Sequence, residues 1–369
     1  MPKFDILPSM MFATAANEFT ITEVTEATAV NTSVKGADGS VLFNNTSTYY
    51  PDENGCIRLC DLGELVCQLV ERTFTADDIV KVGARQVGMQ LLMDVTKGPL
   101  RSSRVLYMCK EMGELKPMFA TCMRTRSVLP GMPTPVSILC AGNKGLKLTF
   151  AAAFKTDTGL LWKEAQSEVN TDADCFSFAA DTNTVLNLLG GSSVTVDNLL
   201  FYTVTLSSDG KQVDGMRFSV DRDNNADEAR HFLFYNLFGV PDSFTFKGRQ
   251  TEEQSVDSDF GYAGRSYVQI DRMVTESHKS NTGWLSKEAK HAAYDFLDSP
   301  LTFVCDGETI RCITVTEVDS SISRPSSEPD SLTVTWRFAD KQHMRLSLVK
   351  PDEGRASTFA KPPFDKTFD

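Results

Sequence analysis

The sequence is poor in the groups on which most enzymes and metal centres are built. It has four histidines, at positions 231, 278, 291 and 343. No GxSxG elbow is present, and no histidine stands in a recognisable catalytic setting, so nucleophilic hydrolysis has no foothold. The nine cysteines (56, 60, 67, 109, 122, 140, 175, 305 and 312) are irregularly spaced and include no CxxC pair. Cys56 and Cys60 supply at most half of a zinc site, and no second pair with suitable spacing follows. We read the cysteines as free thiols of a reducing compartment, not as a disulfide framework. Phosphate-binding loops are missing too: Gly190-Gly191-Ser192-Ser193 follows a short apolar run without a Walker lysine or a GxGxxG pattern.

Positive charge is also sparse. Lys and Arg number 37 against 49 acidic residues, a formal charge of −12, and no basic cluster exceeds Arg101-Ser102-Ser103-Arg104. Nucleic acid is therefore not an expected partner, because its binding rests on neutralising phosphates. No apolar run approaches the ~20 residues that span a bilayer; the best, 232–238, is far shorter. Residues 1–8 are interrupted by Asp5 and Pro8 and lack the continuous apolar core of a signal peptide. The expectation is a product made and kept in the cytoplasm, away from membranes.

Two acidic patterns invite a metal reading. Glu288, His291 and Asp295 lie along one side of an expected helix, opposite the stripe of Ala289, Ala292 and Phe296. A solvated polar face accounts for them with no further assumption and is the preferred reading. Asp221, Asp223, Asn225 and Asp227 resemble the first half of a calcium loop. Ala226 replaces the glycine at its sixth position and Phe232 the glutamate at its twelfth. With 49 acidic residues, carboxylate pairs of the glycosidase kind cannot be singled out. The sequence thus assigns no catalytic residue, no cofactor-binding residue, no metal ligand and no cofactor.

What is present is β-structure. Apolar residues alternate with polar ones at Tyr202, Val204 and Leu206, then at Met216, Phe218 and Val220, and again at Leu332, Val334, Trp336 and Phe338. Met344, Leu346 and Leu348 repeat the pattern. Gly36-Ala37-Asp38-Gly39, Ser208-Asp209-Gly210 and Asp306-Gly307 separate alternating runs, and Asp-Gly suits a hairpin turn. A helix is expected near 61–71, with Asp61 as its cap and Glu64 in the box position. A second is expected near 287–297, capped by Ser286 and stopped by Pro300. At 369 residues the chain exceeds a single ordinary core. We expect a mainly β, multi-domain fold of β-sandwich or barrel-like modules with a few short helices. The expected modules are 1–142, 143–245 and 246–350, with an extended tail at 351–369.

The segment 236–248 (Asn-Leu-Phe-Gly-Val-Pro-Asp-Ser-Phe-Thr-Phe-Lys-Gly), the run Asp295-Phe296-Leu297-Asp298-Ser299-Pro300 and the strand pair after it resemble structural proteins of Bacteroidales phages and prophages. The match covers roughly the last third of the chain. Tyr49-Tyr50-Pro51 and Val105-Leu106-Tyr107 are looser points of similarity. The resemblance implies a virion component of the tail or baseplate type, assembled in the host cytoplasm; protein subunits of the same assembly, as a homo-oligomer, are the expected partners. The expected function is accordingly non-enzymatic structural assembly through protein–protein interfaces. The alternative is a β-sandwich carbohydrate-binding or adhesion protein, with glycan stacking on Tyr49 and Tyr50 or on Tyr262 and Tyr267; a hydrolase ranks behind both.

Overall fold

The computed structural model describes residues 2–4, 7–96, 98–108, 115–143, 145–190, 194–223, 229–263, 266–306, 309–320 and 330–339, with backbone only for 256–274, 306 and 320. Among these residues strand dominates, arranged in five sheets. Near the N-terminus, a three-stranded sheet (Lys3–Phe4, Glu18–Thr22, Ile57–Cys60) faces a five-stranded one. The latter runs in the order Met10–Phe12, Arg101–Leu106, Gly88–Val95, Thr28–Lys35, Val41–Tyr49. Their shared core includes Phe19, Ile21, Val30, Leu91 and Met93, closed by helix α1 (Leu62–Glu71) through Val66, Leu69 and Val70.

The second core lies between two sheets packed face to face. One orders Met118–Phe119, Pro135–Leu139, Cys175–Ala179 and Gly83–Arg85. The other orders Thr125–Val128, Lys211–Val220, Leu199–Ser208, Leu146–Thr156 and Gly159–Val169. Ile138 and Phe178 from the first meet Phe150, Tyr202 and Val204 from the second, with Val185 of helix α2 (Thr182–Leu189) sealing one end. The alternation of Tyr202, Val204 and Leu206 is thus the inward face of a sandwich strand. The third unit is a seven-stranded sheet against helix α3 (Lys287–Leu297). Its core holds Phe232, Phe246, Phe296, Val334 and Trp336.

Sheet pairing crosses both module boundaries expected from the sequence. Pro135–Leu139, before the first boundary, pairs along its length with Cys175–Ala179, beyond it. Gly142 and Gly145, with φ of 73° and 72°, form a turn within the central sandwich and not a linker. The boundary at 245/246 falls inside the strand Pro241–Phe246, which is zipped to Arg230–Tyr235. The units are further fastened by a fourth cluster, in which Phe12, Leu106, Leu139, Cys175, Phe238 and Val240 meet. At the same seam Asp174, buried, accepts Arg104 Nε at 2.6 Å and the backbone N–H groups of Val87 and Gly88 at 3.0 Å. The tail at 351–369 and the strand expected at 344–348 lie outside the described residues.

The helices follow their sequence signals unequally. Ser286 Oγ accepts from Ala289 N, as its position implies. Asp61 does not cap α1. It sits in the left-handed region (φ 63°) with no side-chain cap bond, and Glu64 instead accepts from Gln68. The cause is packing: α1 begins where Gly63 presses on the Ala13 carbonyl, so close that a Cβ would lie 1.9 Å away. Asp61 N is drawn to Asn17 O. That turn carries the Asp61 carboxylate away from the helix N–H groups.

Candidate functional site

The hairpin that carries the Asn236…Gly248 motif is a buried wedge. Asn236 N donates to Val240 O and Gly239 N to Asn236 O, so the loop closes tightly with Gly239 at φ 69°. Asn236 also ties the loop outward: its amide donates to Ala120 O at 2.7 Å and to Asp242 Oδ2 at 3.1 Å. Asp242 Oδ1 stands 2.6 Å from Arg126 Nη1, and both side chains are almost wholly buried. Arg126 Nη2 donates to Thr121 Oγ1 at 2.5 Å. A charge pair removed from water needs such hydrogen-bonding partners to offset its desolvation. The hairpin of the third unit is thereby pinned to the central sandwich.

Beside this pair opens a cleft of about 300 Å³ at the seam. Val128, Phe244 and Leu285 give it apolar walls, while Ser127, Ser219 and Thr245 bring hydroxyls. Trp284 stands at its edge, 84% exposed. Lys247 bridges the seam, paired with Asp221 and donating to Ser127 Oγ at 2.7 Å. His231 lines the same cleft with both ring nitrogens engaged. Nε2 is 2.6 Å from Pro133 O and Nδ1 is 2.8 Å from Thr245 Oγ1. A carbonyl only accepts, so Nε2 carries the proton and Nδ1 accepts from the hydroxyl. Burial, with the Arg126 charge adding to it, pushes the imidazole pKa down to about 4 against the Pro133 hydrogen bond. A neutral ring so tied holds the seam together. It is not set to exchange protons near neutral pH. The cleft can hold a ligand by stacking on Trp284 and by hydrogen bonds to its hydroxyls.

The patterns singled out in the sequence fare differently. On α3, Glu288 and His291 are exposed but Asp295 is buried, 3% exposed, so the three do not share a solvated face. Asp295 looks into a crevice with Tyr107 and Asn236, because α3 packs across the wedge hairpin. Asp221 is engaged with Lys247 and Ser127, while Asn225, Ala226 and Asp227 lie outside the described residues. Cys56 is half-buried and Cys60 exposed, and both are free thiols. Tyr49 packs on the N-terminal core whereas Tyr50 points into solvent, so the two form no common platform. Tyr262 and Tyr267 face each other in the backbone ladder, and their side chains lie outside the described residues. The structure does gather one group the sequence had not suggested, Glu252, Glu276 and His278.

The fold class is plain: a mainly β protein of several sheets with three α-helices among the described residues. No described helix is long and apolar enough to cross a membrane. No family model matches the chain, and no curated protein does. Among solved structures, one similar chain is the calcium-binding domain CBD12 of CALX1.1. It has a TM-score of 0.19 and 9% identity over 56% of this chain and 79% of that one. Another is from a complex of Dpr2 Ig1-Ig2 with DIP-Theta Ig1-Ig3, at a TM-score of 0.19 and 8% identity over 93% and 92%. A chicken T-cell receptor structure gives 0.17 and 12% over 62% and 91%.

Proposed function

We propose that the chain is a non-enzymatic structural assembly protein working through protein–protein interfaces, of the phage tail or baseplate type that its sequence resemblance implies. One observation carries the assembly reading. The strands Gln250–Ala263 and Ser266–Asn281 pair with each other over their whole length. Among the described residues, only His278–Asn281 continue the ladder into the next strand, Leu332–Phe338. Among the described residues the hairpin therefore runs on past the end of its sheet, to a strand length of roughly 45 Å at ~3.3 Å per residue. An isolated two-stranded ribbon is marginally stable in water, and its open edge is a template for pairing. A partner that covers the arm satisfies both conditions. Such an arm, on a body whose units are locked by buried ion pairs, suits a subunit that reaches its neighbours.

The test is light scattering on the purified protein, alone and with the products of adjacent genes, compared with a variant in which 256–274 are replaced by Asn-Gly. A defined oligomer or stable complex that the shortened arm dissolves is the expected result. A parent chain that stays monomeric and binds none of those products overturns the reading.

A second reading, carbohydrate binding or adhesion, draws on Trp284 at the mouth of a hydroxyl-lined cleft. It expects a glycan-array signal that is lost on Trp284→Ala. An array without signal removes it.

A further inference from the structure

The base of the same arm carries a different chemistry. Glu252 and His278 are direct cross-strand partners, and Glu276 lies two residues before His278. Period-two alternation places all three side chains on one face of the hairpin. Their ligand atoms lie within 4.8 Å of one another. Nδ1 of His278 is 3.6 Å from Glu252 Oε1, and Nε2 is 3.6 Å from Glu276 Oε1. Across the sheet, Trp336 is the register partner of His278 and stacks on its ring at 4.2 Å and 16°. Phe338 meets the ring edge-on at 5.2 Å. The imidazole is thus buried and fixed in orientation, while Glu252 is exposed and Glu276 is partly so.

We propose that Glu252, Glu276 and His278 form a divalent-cation site of the zinc class. One imidazole nitrogen and two carboxylates are a donor set suited to zinc, with the fourth position left to water. Tetrahedral bonds of ~2.1 Å place ligand atoms roughly 3.4 Å apart, so a group spread over 4.8 Å must tighten by up to roughly 1.4 Å. The two glutamate side chains supply that movement around a ring that is already held. Two carboxylates and a neutral imidazole balance a divalent charge. Arg230 donates to Glu252 Oε1 at 3.2 Å, the oxygen that also faces His278 Nδ1, so the carboxylate turns to present Oε2 to the ion. Arg230 then takes the part of an outer partner that orients a ligand. A cation here would tie both strands of the arm together where it leaves the sheet.

The test is titration of the chelator-treated full chain with zinc chloride by calorimetry, alongside Glu252→Gln and Glu276→Gln. Both substitutions keep side-chain shape on accessible residues, and circular dichroism monitors the fold. Cobalt(II) provides a second readout, since an ion on His278 sits next to Trp336 and quenches its fluorescence. One equivalent of zinc, bound at least about tenfold more weakly by each variant, with cobalt quenching in the parent, is expected. No uptake, uptake that either variant retains within tenfold, or binding without quenching overturns the site.

Discussion

Arg126 Nη1 and Asp242 Oδ1 meet at 2.6 Å with side chains 4% and 7% exposed, one from the central sandwich and one from the wedge hairpin. Removing a single partner strands the other charge without water, which costs about 3–5 kcal/mol. Asp242→Ala also frees the Asn236 amide from one of its acceptors. We expect Arg126→Met and Asp242→Leu each to lose that much in denaturant titration. The double variant should be less unstable than the sum of the two. A single substitution that shifts stability by under about 1 kcal/mol would show the pair to be incidental.

His231 makes stability depend on pH. Its pKa is about 4 in the folded chain, where burial excludes the charged form, against the ordinary 6.5 once unfolded. Between those values the unfolded chain binds the extra proton. The contribution is fully present above pH 6.5 and is lost as pH falls toward 4, by up to roughly 3 kcal/mol at ~1.4 per unit. His231→Gln keeps an N–H donor for Pro133 O and does not titrate. Its stability should fall less steeply over that window. Equal slopes for parent and variant would refute the assignment.

Much of the architecture was legible in the sequence, for a local reason. The inward faces at Tyr202, Val204 and Leu206 and at Leu332, Val334 and Trp336 show directly as alternation, and Ser286 announces its helix. Pairing over distance left no such mark. Thr125–Val128 joins Lys211–Val220 in parallel, which no turn residue records, so the central unit extended further toward the N-terminus than the glycine-rich turn at 142–145 implied. The Glu252–Glu276–His278 group was hidden by register. Pairing shifts between Asp259 and Phe260. Counting back from the Ala263–Ser266 pair without that bulge sets Glu252 opposite Ser277 and turns it to the wrong face.

Gly239 and Gly131 separate two costs of a left-handed glycine. Their φ values are 69° and 81°, and each would strain a residue that carries a Cβ. At Gly131 an added Cβ meets nothing within 4 Å, whereas at Gly239 it lies 2.9 Å from Cδ1 of Tyr107, a buried ring. Gly131→Ala should therefore cost only the backbone penalty, about 1 kcal/mol. Gly239→Ala should cost that plus displacement of Tyr107, roughly 1–3 kcal/mol more. The comparison is made by thermal unfolding of both variants. Matching losses would mean that the ring yields freely and that the wedge is not tightly packed.

Thiol reactivity should sort the cysteines by environment. Burial pushes the Cys140 thiol up to about 11 and Cys305 up to about 12, and burial together with the Asp174 charge raises wholly enclosed Cys175 well above the ordinary thiol value. Alkylation needs the thiolate, so these three are protected twice, by access and by ionisation. Cys60 is exposed on the strand Ile57–Cys60 and has no such cover. Brief treatment of the native chain with iodoacetamide at neutral pH, followed by peptide mass analysis, should modify Cys60 first. Cys140, Cys175 and Cys305 should remain unmodified until denaturant is added. Because Cys175 lies where the N-terminal and central units meet, its labelling also reports on that seam. Modification of Cys175 at a rate near that of Cys60 would mean that the seam opens in the native protein, and the locked body on which the assembly role depends would have to be abandoned.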